Sequence, residues 1–186
     1  MDTANRQLET PKETLPPRFD RQWNEEVGLW RGSAKHDKDA HDIRANASKL
    51  VQAGIAGKLD QVPVGRVLAN LRRAQQLEGE LRGNFWWSWE DKQVTDRNSG
   101  FFTTIQLLTL HHEFRAELSD KAKADLDQML LESRHWFDHK VYPITENKQR
   151  YPNAYYGDAV CLWLLSELRG HVSMELVRDM MRISRY

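Results

Sequence analysis

Apolar residues recur along most of this chain with the three- and four-residue spacing of amphipathic helices. The clearest stretch runs from Leu126 to Phe137, where apolar side chains form a narrow stripe and charged side chains lie opposite. The stretch from Ala159 to Leu165 is apolar almost all round, which is typical of a helix buried on most sides. The spacing predicts six helices, over residues 38–52, 63–77, 100–118, 120–139, 154–169 and 173–184.

The chain before these helices divides into two parts. Residues 1–18 are polar and rich in proline, so we expect a mobile or extended arm. Three aromatic residues at helical spacing, among them Trp23 and Trp30, predict a short helix within residues 19–31. No stretch favours a strand. The sequence therefore predicts an all-α protein, with one helical-hairpin domain over residues 19–186.

The six helices form three consecutive pairs, which predicts antiparallel helical hairpins. The pairs are 38–53 with 63–77, 100–118 with 120–139, and 154–169 with 173–184. In the last two pairs the first helix is the more apolar and the second is amphipathic. This distribution predicts two layers, with the apolar helices inside and the amphipathic helices outside.

Each of the last two hairpins begins with an aromatic loop. Trp86, Trp87 and Trp89 lie in the first loop, and Tyr155 and Tyr156 lie in the second. An offset of 55 residues (153 − 98 = 55) aligns Asn98 with Asn153, Phe101 with Tyr156, Ile105 with Val160, Leu107 with Leu162, Leu108 with Trp163, and Leu110 with Leu165. The match indicates a repeated helical unit.

Composition and charge narrow the classes of function. Lys+Arg and Asp+Glu both number 27, and this balance argues against a phosphate-driven nucleic-acid binder. Cys161 is the only cysteine and has apolar neighbours, so we expect a buried core thiol and no disulfide. No window is apolar enough for a membrane span, and we expect no membrane partner. Because residues 1–22 lack an apolar signal segment, we expect a cytoplasmic location, or a secreted one if the chain is truncated.

One segment carries a family resemblance. The sequence Gly83-Asn84-Phe85-Trp86-Trp87-Ser88-Trp89-Glu90 is similar to the Asn-Trp-x-x-Trp-Glu loops of α/α-toroid polysaccharide lyases. Over residues 38–186 the apolar and amphipathic helices also resemble those of six-hairpin glycoside hydrolases. The resemblance implies an α/α-toroid-like arc. A full toroid contains more hairpins than the three predicted here, so we expect an incomplete ring, a fragment, a homo-oligomer or a compact bundle.

The candidate substrate-binding residues lie in the two aromatic loops. Aromatic rings stack on sugar rings, and polar side chains bind the hydroxyl groups. The candidates are Trp86, Trp87, Trp89, Arg97, Asn98 and Tyr155. In the alternative interpretation the tryptophans close the end of the helical bundle, Asp96 or Asn98 caps the next helix, and Asp96 pairs with Arg97.

The candidate catalytic residues follow from two chemistries. The resemblance to toroid lyases implies Tyr156 as base or acid, assisted by His112, with Asn98 and Arg97 neutralising a uronate carboxylate. For a hydrolase, Glu90 and Asp158 are the candidate carboxylate pair. His135 and His139 share the helical i, i+4 spacing but supply too few ligands for a metal site, so we expect no metal and no cofactor.

These residues lead to two hypotheses about function. The first is a carbohydrate-active protein that binds or cleaves an oligosaccharide at an aromatic-lined pocket, by lyase or hydrolase chemistry. The alternative is a non-catalytic all-α scaffold whose tryptophan-rich loop binds a protein partner. A toroid that binds an isoprenoid-like ligand is disfavoured, because the sequence lacks an acidic cluster for pyrophosphate-bound magnesium.

Overall fold

The computed structural model describes residues 22–32, 39–139 and 152–168. Within these ranges the fold is mostly helical, which confirms the prediction of an all-α protein. The helices are α1 (Ile43–Ile55), α2 (Val64–Arg73), α3 (Ser99–Phe114), α4 (Asp120–His139) and α5 (Pro152–Glu167). The predicted arm over 1–18 and the predicted helix over 173–184 lie outside the described residues. Tyr155 and Tyr156, which the sequence predicts in the second aromatic loop, lie inside α5.

The predicted short helix within residues 19–31 is wrong. Trp23–Asn24 (β1) and Leu29–Trp30 (β2) instead form an antiparallel hairpin, in which Trp23 lies opposite Trp30. The two indole rings pack edge to face with their centroids 5.0 Å apart. Gly28 has a φ of +73°, a conformation that favours glycine, and the chain therefore turns where a helix would have continued.

The hairpin is fastened to α1 by one buried amide. The Asn46 side chain accepts a hydrogen bond from the Trp30 backbone N–H at 2.8 Å and donates one to the Trp30 carbonyl at 3.0 Å. Asp42 caps α1, because its carboxylate accepts the Ala45 N–H at 2.8 Å. The hairpin and the start of α1 thus form one packed unit.

Helices α1, α3 and α5 lie side by side and run in the same direction. Near the end of α1, Gly54 packs against the ring of Phe114 at the end of α3. Near the start of α5, Gly157 packs against the ring of Phe101 at the start of α3. Cys161 is buried, as predicted, with its Sγ 3.8 Å from the Phe101 carbonyl oxygen.

Helices α2 and α4 form a second row. They run parallel to each other, since Arg72 pairs with Asp125 while Gln75, three residues later, donates to the Met129 carbonyl. Helix α4 returns antiparallel to α3, with the Thr104 hydroxyl near the start of α3 bonded to Ser133 late in α4. None of the five described helices combines the length and apolar character that a membrane crossing requires.

The parallel direction of α1, α3 and α5 gathers their starting turns at one end of the molecule. We call this end the N-terminal rim, defined as residues 41–44, 85–102 and 152–158. The loop with the three tryptophans belongs to the rim because it leads directly into α3. The described part of the second aromatic segment belongs to it because α5 starts beside the start of α3.

Candidate functional site

The first aromatic loop is held to the helices on both sides by its backbone. The Trp86 N–H donates to the carbonyl of Ala74, just beyond α2, at 2.9 Å. The Trp87 carbonyl accepts the N–H of Ile43, the first residue of α1, at 3.0 Å. Phe85 is fully buried and anchors the loop in the core. These bonds fix the positions of the three tryptophans that follow Phe85.

Trp86 and Trp89 form one half-buried aromatic pair. Their ring centroids are 5.9 Å apart, and the ammonium group of Lys92 lies 4.1 Å from the centroid of Trp89. Lys92 has a positive φ of 55°, and its side chain lies over the ring of Trp89, three residues earlier in the chain. A cation over an aromatic face is attracted by the ring quadrupole, so Lys92 covers part of this pair.

Trp87 belongs to a second aromatic cluster, between α1 and α3. Its ring packs edge to face on Phe102 with the centroids 5.9 Å apart. The guanidinium of Arg44 lies 5.7 Å from both ring centroids. Phe102 in turn packs on the buried ring of Phe101, which extends the aromatic cluster toward α5.

Glu90 forms a hydrogen-bonded relay with His41 and Asn24. The side-chain oxygen of Asn24 accepts hydrogen bonds from the backbone N–H groups of Glu26 and Val27. The side-chain nitrogen of Asn24 is therefore the atom that faces His41 Nε2, and it donates to that nitrogen at 3.1 Å. His41 Nε2 is therefore the acceptor, and Nδ1–H donates to Glu90 Oε1 at 2.6 Å. The His41 backbone N–H donates to the second Glu90 oxygen at 3.0 Å.

The relay sets the charge state of the Glu90 carboxyl. Burial raises the pKa of Glu90, but the hydrogen bonds from the His41 side chain and backbone outweigh burial and hold the pKa below its usual value. Glu90 is therefore ionised at neutral pH, and its side chain remains 47% exposed. Such a carboxylate suits a base or a charge stabiliser, while a general acid needs a raised pKa.

The start of α3 excludes one of the two alternatives for the cap and corrects the predicted ion pair. Asn98 precedes the helix, but its side chain makes no cap hydrogen bond; Asp96 instead accepts the Asn98 N–H at 2.8 Å. Arg97 does not pair with Asp96 either. Its guanidinium donates to Glu80 at 2.7 Å, and both side chains of that pair are exposed.

The candidates on α5 differ in their exposure. Tyr156 is 45% exposed and lies at the rim, whereas Asp158 is buried with only 3% of its surface exposed. Asn153 lies inside α5, whereas Asn98, the residue aligned with it, immediately precedes α3. The side chain of Tyr155 lies outside the described residues.

His112 lies away from the other candidates. It is exposed near the end of α3, fourteen residues beyond Asn98 (112 − 98 = 14), which is about 21 Å along a helix. The histidine that the structure brings to Glu90 is His41, which sequence reasoning missed. The two residues are 49 positions apart (90 − 41 = 49), and only a fold that joins α1 to the loop brings them together.

The rim therefore offers partly exposed rings, the ionised Glu90 carboxylate and other exposed polar groups. Over residues 22–32, 39–139 and 152–168, no three His, Cys, Asp or Glu side chains are grouped to hold a metal ion. The chain matches no family model, no curated protein and no solved structure.

Proposed function

We propose that the N-terminal rim is an oligosaccharide-binding surface of an α/α-toroid-like domain. The observation that carries the proposal is the common direction of α1, α3 and α5, which gathers the loops preceding them at one end. A ligand at this end would meet aromatic rings from two adjacent segments, the loop before α3 and the start of α5. Half-buried aromatic rings with a few convergent polar groups are the usual components of a ligand site.

Each rim residue has a role in this proposal. Trp86, Trp87 and Trp89 present their exposed ring portions to sugar rings. Arg97 and Asn98 supply polar contacts, and the Asn98 amide is not used in the helix cap. Tyr156 extends the aromatic surface onto α5.

Cleavage of the bound sugar is the further step of the proposal. The ionised Glu90 carboxylate is suited to remove a proton or to stabilise positive charge. Tyr156 is the candidate acid or base of a lyase. His112 has no part in this version of the site, since it lies about a helix length away. The burial of Asp158 makes it a poorer partner for Glu90 than an exposed carboxylate would be.

One observation favours the second candidate, a non-catalytic scaffold that binds a protein. Lys92 and Arg44 lie over faces of Trp89 and Trp87 that a stacked sugar would need. Rings covered by flexible cations form an amphipathic surface of the kind found in protein interfaces, where tryptophan and arginine are enriched.

Calorimetric titration of the full chain with a panel of neutral and uronate-containing oligosaccharides tests the proposal. We expect saturable binding that Trp89→Ala weakens about fivefold, since stacking on a tryptophan contributes on the order of 1 kcal/mol. Trp163→Ala is the matched control, because Trp163 is 41% exposed but lies farther along α5. New reducing ends or unsaturated-uronate absorbance would add cleavage. Absence of binding across the panel would reject the sugar site and favour the protein-binding scaffold.

A further inference from the structure

An ammonium group of the chain itself lies against two tryptophan rings at the rim. The Lys92 ammonium is 4.1 Å from the ring centroid of Trp89 and 5.6 Å from that of Trp86. The two ring centroids are 5.9 Å apart and the ring planes are inclined by 56°, so the rings form two sides of a corner. Both ammonium-to-ring distances lie within the range in which the ring quadrupole attracts a cation. This corner, the Trp86–Trp89 corner, is therefore complementary to a positive charge.

The rings hold Lys92 at the corner without help from an acidic group. Lys121 and Lys123 of α4 pair with aspartates. Lys92 is exposed, and in the part of the chain that the structure describes no carboxylate forms an ion pair with it. The attraction of an exposed cation to a ring is weak, so the Lys92 ammonium can leave the corner.

The cation over the neighbouring aromatic cluster is bound differently. The Arg44 guanidinium lies 5.7 Å from the ring centroids of Trp87 and Phe102, and it also lies 3.5 Å from Asp42 Oδ2. The buried Asp42 carboxylate therefore restrains Arg44, whereas Lys92 has no such restraint among the described residues. Of the two aromatic clusters, the corner is the one whose ring faces a ligand can uncover.

Acidic residues beside the corner favour a cation over an anion. Glu90 directly follows Trp89, is ionised at neutral pH and has a side chain that is 47% exposed. Asp91 comes next, and its carboxylate accepts the Ser88 backbone N–H at 2.9 Å, which keeps it in the same turn. Carboxylates beside a site raise the local concentration of cations.

We propose that the Trp86–Trp89 corner binds a small quaternary ammonium cation and that Lys92 is its internal competitor. A lysine ammonium is a compact and strongly hydrated charge. The methyl groups of a quaternary ammonium spread its charge over an apolar surface, so this cation gives up less hydration when it moves onto the rings. Quaternary ammonium groups are also the cations that aromatic cages recognise.

Calorimetric titration of the full chain with choline chloride at constant ionic strength tests the proposal. We expect weak, saturable binding that Trp89→Ala reduces about fivefold, which corresponds to about 1 kcal/mol. Trp163→Ala is the matched control, because Trp163 is also partly exposed but lies farther along α5. Neohexanol, in which a tert-butyl group replaces the trimethylammonium group of choline, has the same shape without the charge and should not saturate over the same range. Melting curves establish that the variants are folded.

Variants of Lys92 test its role as a competitor. Lys92→Ala should raise the affinity for choline about fivefold, the factor by which an attraction of about 1 kcal/mol favours the occupied corner. Lys92→Arg retains a cation and should keep the affinity at the wild-type level. Lys58→Ala is the matched control for the lost charge, because Lys58 is exposed and lies outside the rim.

Proton NMR follows the displacement of Lys92 directly. The rings should shift the Lys92 side-chain methylene resonances upfield, and choline should return them toward the values of a free lysine. The proposal is overturned if choline fails to saturate Lys92→Ala, if neohexanol binds as tightly as choline, or if Lys58→Ala raises the affinity as much as Lys92→Ala. Saturation by choline with unchanged Lys92 resonances would overturn the role of Lys92. Because the choline titration contains no sugar and the sugar panel contains no choline, either proposal can fail without the other.

Discussion

Replacement of Gly157 by alanine tests the contact between α3 and α5 on which the rim depends. A Cβ added at Gly157 would overlap the ring of Phe101 and stand 2.5 Å from Cε2. Phe101 is only 6% exposed and packs on Phe102 with ring centroids 3.9 Å apart, so the ring has little room to move. The substitution therefore forces extra volume into a packed contact, which costs about 1–3 kcal/mol.

The higher helix preference of alanine over glycine opposes the destabilisation by the clash, and a matched control measures that preference. Alanine is favoured over glycine inside a helix by about 1 kcal/mol. Gly65 lies in α2 with no atom within 4 Å of an added Cβ, so Gly65→Ala should stabilise the protein by about that amount. The clash at Gly157 offsets the same gain, and Gly157→Ala should leave the protein about 1–3 kcal/mol less stable than Gly65→Ala.

Urea unfolding followed by circular dichroism measures both free energies of unfolding. Phe101→Leu in the Gly157→Ala background should recover part of the loss, because residues in contact show non-additive effects. If Gly157→Ala stabilises the protein as much as Gly65→Ala does, the starts of α3 and α5 are not in contact. The parallel arrangement that brings Tyr156 to the rim would then be wrong.

Two further predictions concern buried and paired carboxyl groups. Burial raises the pKa of Asp42, although the Ala45 N–H and the Arg44 guanidinium act in the opposite direction. The folded protein is therefore less stable above the folded pKa of Asp42 than below the unfolded pKa, and the loss occurs as the pH rises between the two values. In urea titrations at pH 7, Asp42→Asn should keep the cap and be at least as stable as the wild type. Asp42→Ala should lose about 1 kcal/mol of unfolding free energy. Equal losses in the two variants would contradict the capping role. The pKa of Glu90 is lowered, so its contribution is present above the unfolded pKa and is lost as the pH falls through the folded value. The stability advantage of the wild type over Glu90→Gln should therefore shrink from pH 6 to pH 3, and an unchanged difference would refute the His41–Glu90 bond.

The helices could be predicted because their signals are local. The stripe from Leu126 to Phe137 and the apolar run from Ala159 to Leu165 fix the type of α4 and α5 without knowledge of their neighbours. The hairpin at Trp23 and Trp30 was missed for a related reason. A separation of seven residues also fits two turns of a helix, and the turn at Gly28 decides between the two structures.

The bonds within the rim could not be predicted, because they join distant segments. Nothing near His41 in the sequence indicates that Glu90 will be its partner. The choice of Asp96 over Asn98 at the start of α3 depends on backbone angles that residue type alone does not determine. The arrangement of the helices in consecutive pairs did predict hairpins, and the contacts of α3 with α4 agree with that prediction.

The residues of α3 and α5 that the 55-residue offset aligns are buried to the same extent at some positions and not at others. Leu107 and Leu110 in α3 are buried, and so are Leu162 and Leu165, the residues matched to them in α5. The repeat therefore preserves this part of the core.

Two other matched positions diverge. Phe101 and Leu108 are buried in α3, whereas Tyr156 and Trp163 in α5 are exposed. The reason is position in the row, because α3 packs against both α1 and α5, and Gly157 of α5 covers Phe101. Within the described ranges, α5 is the last helix of that row. A repeat that buries an aromatic ring in its central copy thus exposes the matched ring in its terminal copy, and at the rim that ring belongs to Tyr156.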